Sequence, residues 1–173
     1  MASLTPLQRD SLVIAAFIFA TIFAALLALN SGQFGYTIDD TYIHLGLAEN
    51  LPWHYGVNAG EVSAPSSSPV FAWLLLLFKP FGLLDYAPLI INLIAAFGCI
   101  ALGAKLAEEV ALTPRNWSIP AQALALNLLF TTLNLYTLVF MGMEHVPHIL
   151  CVLAIVAGLV GLEAGARGPC TSS

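Results

Sequence analysis

Ser11-Leu-Val-Ile-Ala-Ala-Phe-Ile-Phe-Ala-Thr-Ile-Phe-Ala-Ala-Leu-Leu-Ala-Leu29 carries no charged side chain from end to end. At a helical rise of about 1.5 Å per residue it reaches the roughly 30 Å of a bilayer's hydrocarbon core, so it reads as a spanning helix. It is too long for the apolar part of a secretory signal, and only Arg9 precedes it, so the expectation is an uncleaved helix. Composition extends this to the whole chain of 173 residues. With 59% hydrophobic residues, 9% charged residues and a mean hydropathy of +0.87, there is too little polar surface to cover a water-soluble globule. The predicted class is an all-α polytopic transmembrane helix bundle.

Outward from this run, the chain offers further spans at 88–106, 120–140 and 146–162, after a first polar loop over 30–87. Two short juxtamembrane helices are expected in that loop. One covers 41–51, where Ile43, Leu47 and Leu51 recur on one face and Pro52 ends it, with Asp39 or Asp40 as its N-cap. The other covers 69–79, with Ser68 as N-cap and Pro69 as first helical residue. If the second helix crossed the membrane there would be five spans, with Lys105, Arg115 and Arg167 on the outside. With it in the interface there are four, and Arg9, Lys105, Arg115 and Arg167 share the cytoplasmic side, which the positive-inside rule favours. Four spans put the Asp39-Asp40 pair, the Ser-rich segment and the Met141–His148 turn on one outer face.

The formal net charge of -5 leaves no basic face, so no nucleic-acid partner is expected. Cys99, Cys151 and Cys170 are far apart and form no CxxC pair. The chemistry-bearing groups gather on the outer face. Two adjacent carboxylates at the membrane edge, Asp39 and Asp40, suit a general base through partial desolvation and mutual repulsion, and equally suit plain helix capping. Glu144, beside His145 at the mouth of a span, is either a site residue or part of a solvated turn. Asp40, His44, Glu144 and His148 are candidate ligands for a divalent cation such as Mg or Mn, although no motif spacing singles them out. Ser66, Ser67 and Ser68 supply hydroxyls for a polar ligand or form a linker. Lys79, the one base on the outer face, can meet a phosphate or snorkel to the interface. Asn127, Thr131, Thr132 and Asn134 are expected to hydrogen-bond between helices.

Asp39-Asp40-Thr-Tyr-Ile-His-Leu-Gly-Leu-Ala-Glu-Asn-Leu51, Tyr55-Gly-Val-Asn-Ala-Gly-Glu61, Ser66-Ser-Ser-Pro-Val-Phe-Ala-Trp73 and the Gly142-Met143-Glu144 turn resemble the GT-C class of integral membrane glycosyltransferases. The likeness is to the bacterial arabinofuranosyltransferase-like branch and covers about residues 11 to 162. Such enzymes pass a sugar from a polyprenyl-phosphate donor to an acceptor hydroxyl on a glycan or lipid. The resemblance implies Asp39 or Asp40 as base, with Asp39 favoured, and His44, Ser66, Ser67, Ser68, Lys79, Glu144 and His145 as substrate-binding. It also implies a bacterial inner (plasma) membrane with the active side extracytoplasmic. Members usually have eight or more spans, so this chain is expected to match their N-terminal portion, with a possible second chain completing the fold. Two other function classes remain open: a non-catalytic membrane subunit that binds lipid or a partner, and a small transporter or metal-binding membrane protein.

Overall fold

The computed structural model describes residues 3–58, 60, 62–63, 68–114 and 116–166, and among them every regular element is helical. The order is α1 (Pro6–Leu29), α2 (Asp40–Asn50), α3 (Pro69–Leu76), α4 (Ala87–Glu109), α5 (Ile119–Thr132), α6 (Leu135–Met141) and α7 (His145–Ala166), with 3₁₀ turns at Lys79–Phe81 and Leu84–Tyr86. Three segments, comprising α1, α4 with the turn before it, and α7, are long and apolar enough to cross a membrane. The bent pair α5 and α6 makes a fourth span if counted as one. The fold is a helical membrane bundle.

The start of α1 has a local cause. Thr5 and Gln8 form a reciprocal capping box around Pro6, which needs no amide partner at the first helical position. The Gln8 amide then donates 3.0 Å to the Ala101 carbonyl and fixes this end of α1 against α4. α4 is the central helix: half of its apolar window is buried, against 11% for α1 and 6% for α7. Its buried positions are mostly small, including Ala95, Ala96, Cys99, Ala104 and Ala107, which lets neighbouring helices come close where lipid supplies no hydrophobic drive. At the centre, Phe19 of α1 meets Phe97, Tyr136 and Phe140 at ring separations of 4.8 to 6.2 Å.

The expected span at 120–140 is interrupted. Thr131 and Thr132 return their hydroxyls to the Asn127 and Leu129 carbonyls of their own helix, not to a neighbouring one. Asn134 then takes a left-handed conformation at φ 66°, which its short polar side chain tolerates, and α6 leaves α5 at 52°. Asn127 does join helices. Its amide donates 3.3 Å to the Ser11 carbonyl of α1, and its oxygen accepts from the buried Tyr136 hydroxyl of α6.

The second loop helix is also shorter than expected: α3 stops at Leu76, and Lys79 begins a separate 3₁₀ turn. Eight residues rise only about 12 Å, so α3 does not cross a bilayer. It packs on α2 through Phe71, Ala72 and Leu75. Ser68 occupies its N-cap position without a side-chain capping bond.

Asn127→Leu should therefore loosen α1, α5 and α6 together. We expect a loss of about 1 kcal/mol in micelle unfolding, the scale of interhelical polar contacts in membranes. Asn134→Ala should be at least as costly, because alanine disfavours the left-handed turn.

Candidate functional site

The start of α2, in the first loop, meets the turn between α6 and α7. Asp39 caps α2, its Oδ1 accepting from the Asp40 amide at 3.1 Å, and both carboxylates are exposed. At the second residue of α2, the buried Thr41 hydroxyl donates 2.6 Å to the Met141 carbonyl at the end of α6. Gly142 follows in a left-handed conformation at φ 77°. A Cβ there would lie 2.5 Å from the Tyr36 ring and 2.6 Å from the Thr41 methyl, so both the backbone angle and the space require glycine.

This close approach carries Glu144 to His44. The two side chains are buried, and His44 Nε2 lies 3.4 Å from Glu144 Oε2. The pair is within electrostatic range, but its alignment does not make a hydrogen bond, so Oε2 is left buried without a hydrogen-bond partner. A buried carboxyl oxygen without a hydrogen-bond donor is costly to keep from water, so the nearby imidazole bears on whether the group can stay there. Burial holds the His44 imidazole below the usual histidine range, while the charges of Glu144 and then Asp40 pull it upward. The same ring meets Phe71 edge-on at 5.4 Å, joining α3 to the seam.

On its other side α2 borders a cavity of about 740 Å³, closed by the segment from Lys79 to Tyr86. Tyr36 fixes the gap between the two walls: its hydroxyl donates 2.8 Å to the Asp85 carbonyl and accepts from the Leu89 amide at 3.2 Å. Burial raises the Tyr36 phenol above its ordinary range, so it stays neutral in this role. Glu49, Lys79 and Asp85 bring charge to the cavity, and Phe34, Tyr42 and Tyr86 bring rings. The Lys79 ammonium donates to the Glu49 carbonyl.

Of the residues expected from sequence, the structure brings together His44 and Glu144 and places Asp39 and Asp40 at the same end of α2. Lys79, itself exposed, lines the cavity together with Glu49 and Asp85. His145 and His148 are exposed. Ser66 and Ser67 lie outside the described residues. Among the described residues, no group of three His, Cys, Asp or Glu side chains is placed to hold a cation, so Asp40, His44, Glu144 and His148 do not assemble as one cluster. The ring-lined cavity was not anticipated, although Tyr42, Leu45 and Glu49 stand at helical spacing and share a face.

No protein family, curated protein or solved structure compared with the chain matches it.

Two outcomes follow from the seam. Gly142→Ala should lift α2 from the α6–α7 turn and cost about 2 kcal/mol or more in stability, with faster proteolysis after α1 as the readout. The unfolded chain protonates its histidine near pH 6.5, and the folded chain only at lower pH. The unfolded state therefore binds more protons below about pH 6.5, and acid removes stability there. Melting in nanodiscs should fall between pH 7 and pH 5, with a shallower fall in His44→Gln.

Proposed function

We propose that this chain is a catalytic module of a membrane glycosyltransferase that transfers a sugar from a polyprenyl-phosphate donor to an acceptor hydroxyl at the membrane surface. The observation that supports the reading most is the seam itself. It joins the Asp39–His44 segment to the Gly142–Glu144 turn, the two elements in which the sequence resembles the GT-C class, although 100 residues separate Thr41 from Met141.

In this reading the acceptor oxygen attacks the anomeric carbon of the donor sugar, and the bond from that carbon to the phosphate oxygen breaks. The electron pair leaves with the polyprenyl phosphate. The acceptor's proton passes to a carboxylate at the head of α2. Asp39 is the favoured base and Asp40 its neighbour, both exposed beside the cavity helix. Glu144 and His44 are positioning residues: they hold α2 in place and touch no reacting atom. The charge pattern supports an extracytoplasmic orientation of this face, since Arg9 and Lys105 stand at the ends of α1 and α4 remote from Asp39, and the bacterial inner (plasma) membrane is what the resemblance implies.

Transfer of radiolabelled sugar from a panel of polyprenyl-phosphate donors, in membranes containing the chain, tests the proposal. Asparagine caps a helix about as well as aspartate, so Asp39→Asn keeps the cap and removes the base. We expect transfer to fall about 100-fold or more with the melting temperature unchanged. Transfer by Asp39→Asn and by Asp40→Asn at the level of the unaltered chain would reject base catalysis from this pair, and no transfer by the unaltered chain from any donor would favour a subunit that binds lipid without chemistry.

A further inference from the structure

The cavity beside α2 has a composition that restricts its ligand. Its volume of about 740 Å³ falls in the range of pockets that enclose small organic ligands. Its charged groups are two carboxylates, Glu49 and Asp85, against one ammonium, Lys79, which already donates to the Glu49 carbonyl. That balance disfavours a phosphate or any other anion. Four aromatic residues, Phe34, Tyr36, Tyr42 and Tyr86, line the same space. Phe34 and Tyr86 lie nearly parallel, 6.5 Å apart with 26° between their planes, and Tyr42 projects from α2. Aromatic faces accept the C–H faces of a polyol ring, while carboxylates accept hydrogen bonds from its hydroxyls.

The position matters as much as the composition. Tyr42, Leu45 and Glu49 form one stripe of α2, and Asp39 and Asp40 stand at the head of the same helix. Glu49 in the last turn is about 13 Å from Asp40 along the axis at the helical rise. A ligand held at the far end of this stripe does not present its own hydroxyl to those carboxylates, but a longer one can extend to them.

We infer that the cavity walled by Phe34, Tyr42, Glu49, Lys79, Asp85 and Tyr86 binds an uncharged sugar ring of the acceptor, remote from the reacting hydroxyl, so that the acceptor is an oligosaccharide or the glycan of a glycolipid. The binding site stands on the cavity; the word acceptor rests on the function proposed above.

Saturation-transfer NMR on the full chain, in nanodiscs of phosphatidylethanolamine and phosphatidylglycerol, reads binding without sugar-headed detergents. The probes are neutral arabinan, mannan, glucan and galactan oligosaccharides, with phosphocholine as a cationic-headed comparison. At least one oligosaccharide should bind, about tenfold or more weaker in Tyr86→Ala and in Glu49→Gln, with no change in Trp53→Ala, whose ring is 91% exposed outside the cavity. Absence of binding by every oligosaccharide, binding unaffected by both cavity variants, or preference for phosphocholine overturns the inference. Asp39→Asn separates the two proposals, because it should abolish transfer while leaving sugar binding intact. Binding with transfer that survives Asp39→Asn rejects the base and keeps the site. Transfer lost in Asp39→Asn with no sugar bound rejects the site and keeps the base.

Discussion

A carboxylate buried at the mouth of a membrane bundle is costly, and the arrangement around Glu144 is what allows it to stay there. His44 reaches it from a helix of the first loop, at 3.4 Å, and the loop cannot leave without exposing one buried titratable group and stranding the other. Thr41 bonds to Met141 beside the pair, and Gly142 supplies the space in which the two backbones approach. A polar loop that would otherwise lie in the membrane interface is thereby made part of the bundle's end. The exposed acids at the head of α2 and the cavity along its flank inherit their positions from that attachment.

The seam depends in turn on a break deep in the bundle. A straight helix through 119–141 would carry its last turn onward along one axis, whereas the left-handed Asn134 redirects α6 by 52°. Asn127 and Tyr136 hold the two halves together across the break, and Ser11 of α1 shares the same amide. Gly142 then ends α6 in a left-handed conformation, and α7 starts three residues later at His145. Two left-handed residues, one at each end of a short helix, thus convert a plain span into a support for the loop.

The sequence shows the helical class and the membrane plainly, because apolar runs at hydrocarbon length have few other meanings. Its charged residues also point to one face for the polar groups near Asp39, since Arg9 and Lys105 lie at helix ends remote from it. Asn127 is recognisable as a bridge between helices, but the break at Asn134 is not, because asparagine in an apolar run signals either a bridge or a kink and only packing decides. Adjacent sequence positions also mislead: Glu144 turns inward while His145 stays exposed. No spacing rule pairs His44 with Glu144, which meet only because the bundle folds the chain back on itself. The cavity is hidden for the same reason, as its walls come from residues 34–49 and 79–86 and only the α2 stripe has a periodic signal.

A double-mutant cycle on His44→Ala and Glu144→Ala, read as unfolding free energy in nanodiscs at pH 7.5, tests directly whether this pair fastens the loop to the bundle. Each single change should be clearly destabilising, and the double change much less so than their sum, with a coupling of about 1 kcal/mol or more, as expected of groups in contact. Effects that add to within about 0.5 kcal/mol would mean that the two side chains do not sense each other. The loop would then be held by the Thr41–Met141 hydrogen bond and by packing, and the His44–Glu144 pair would not be what fastens it.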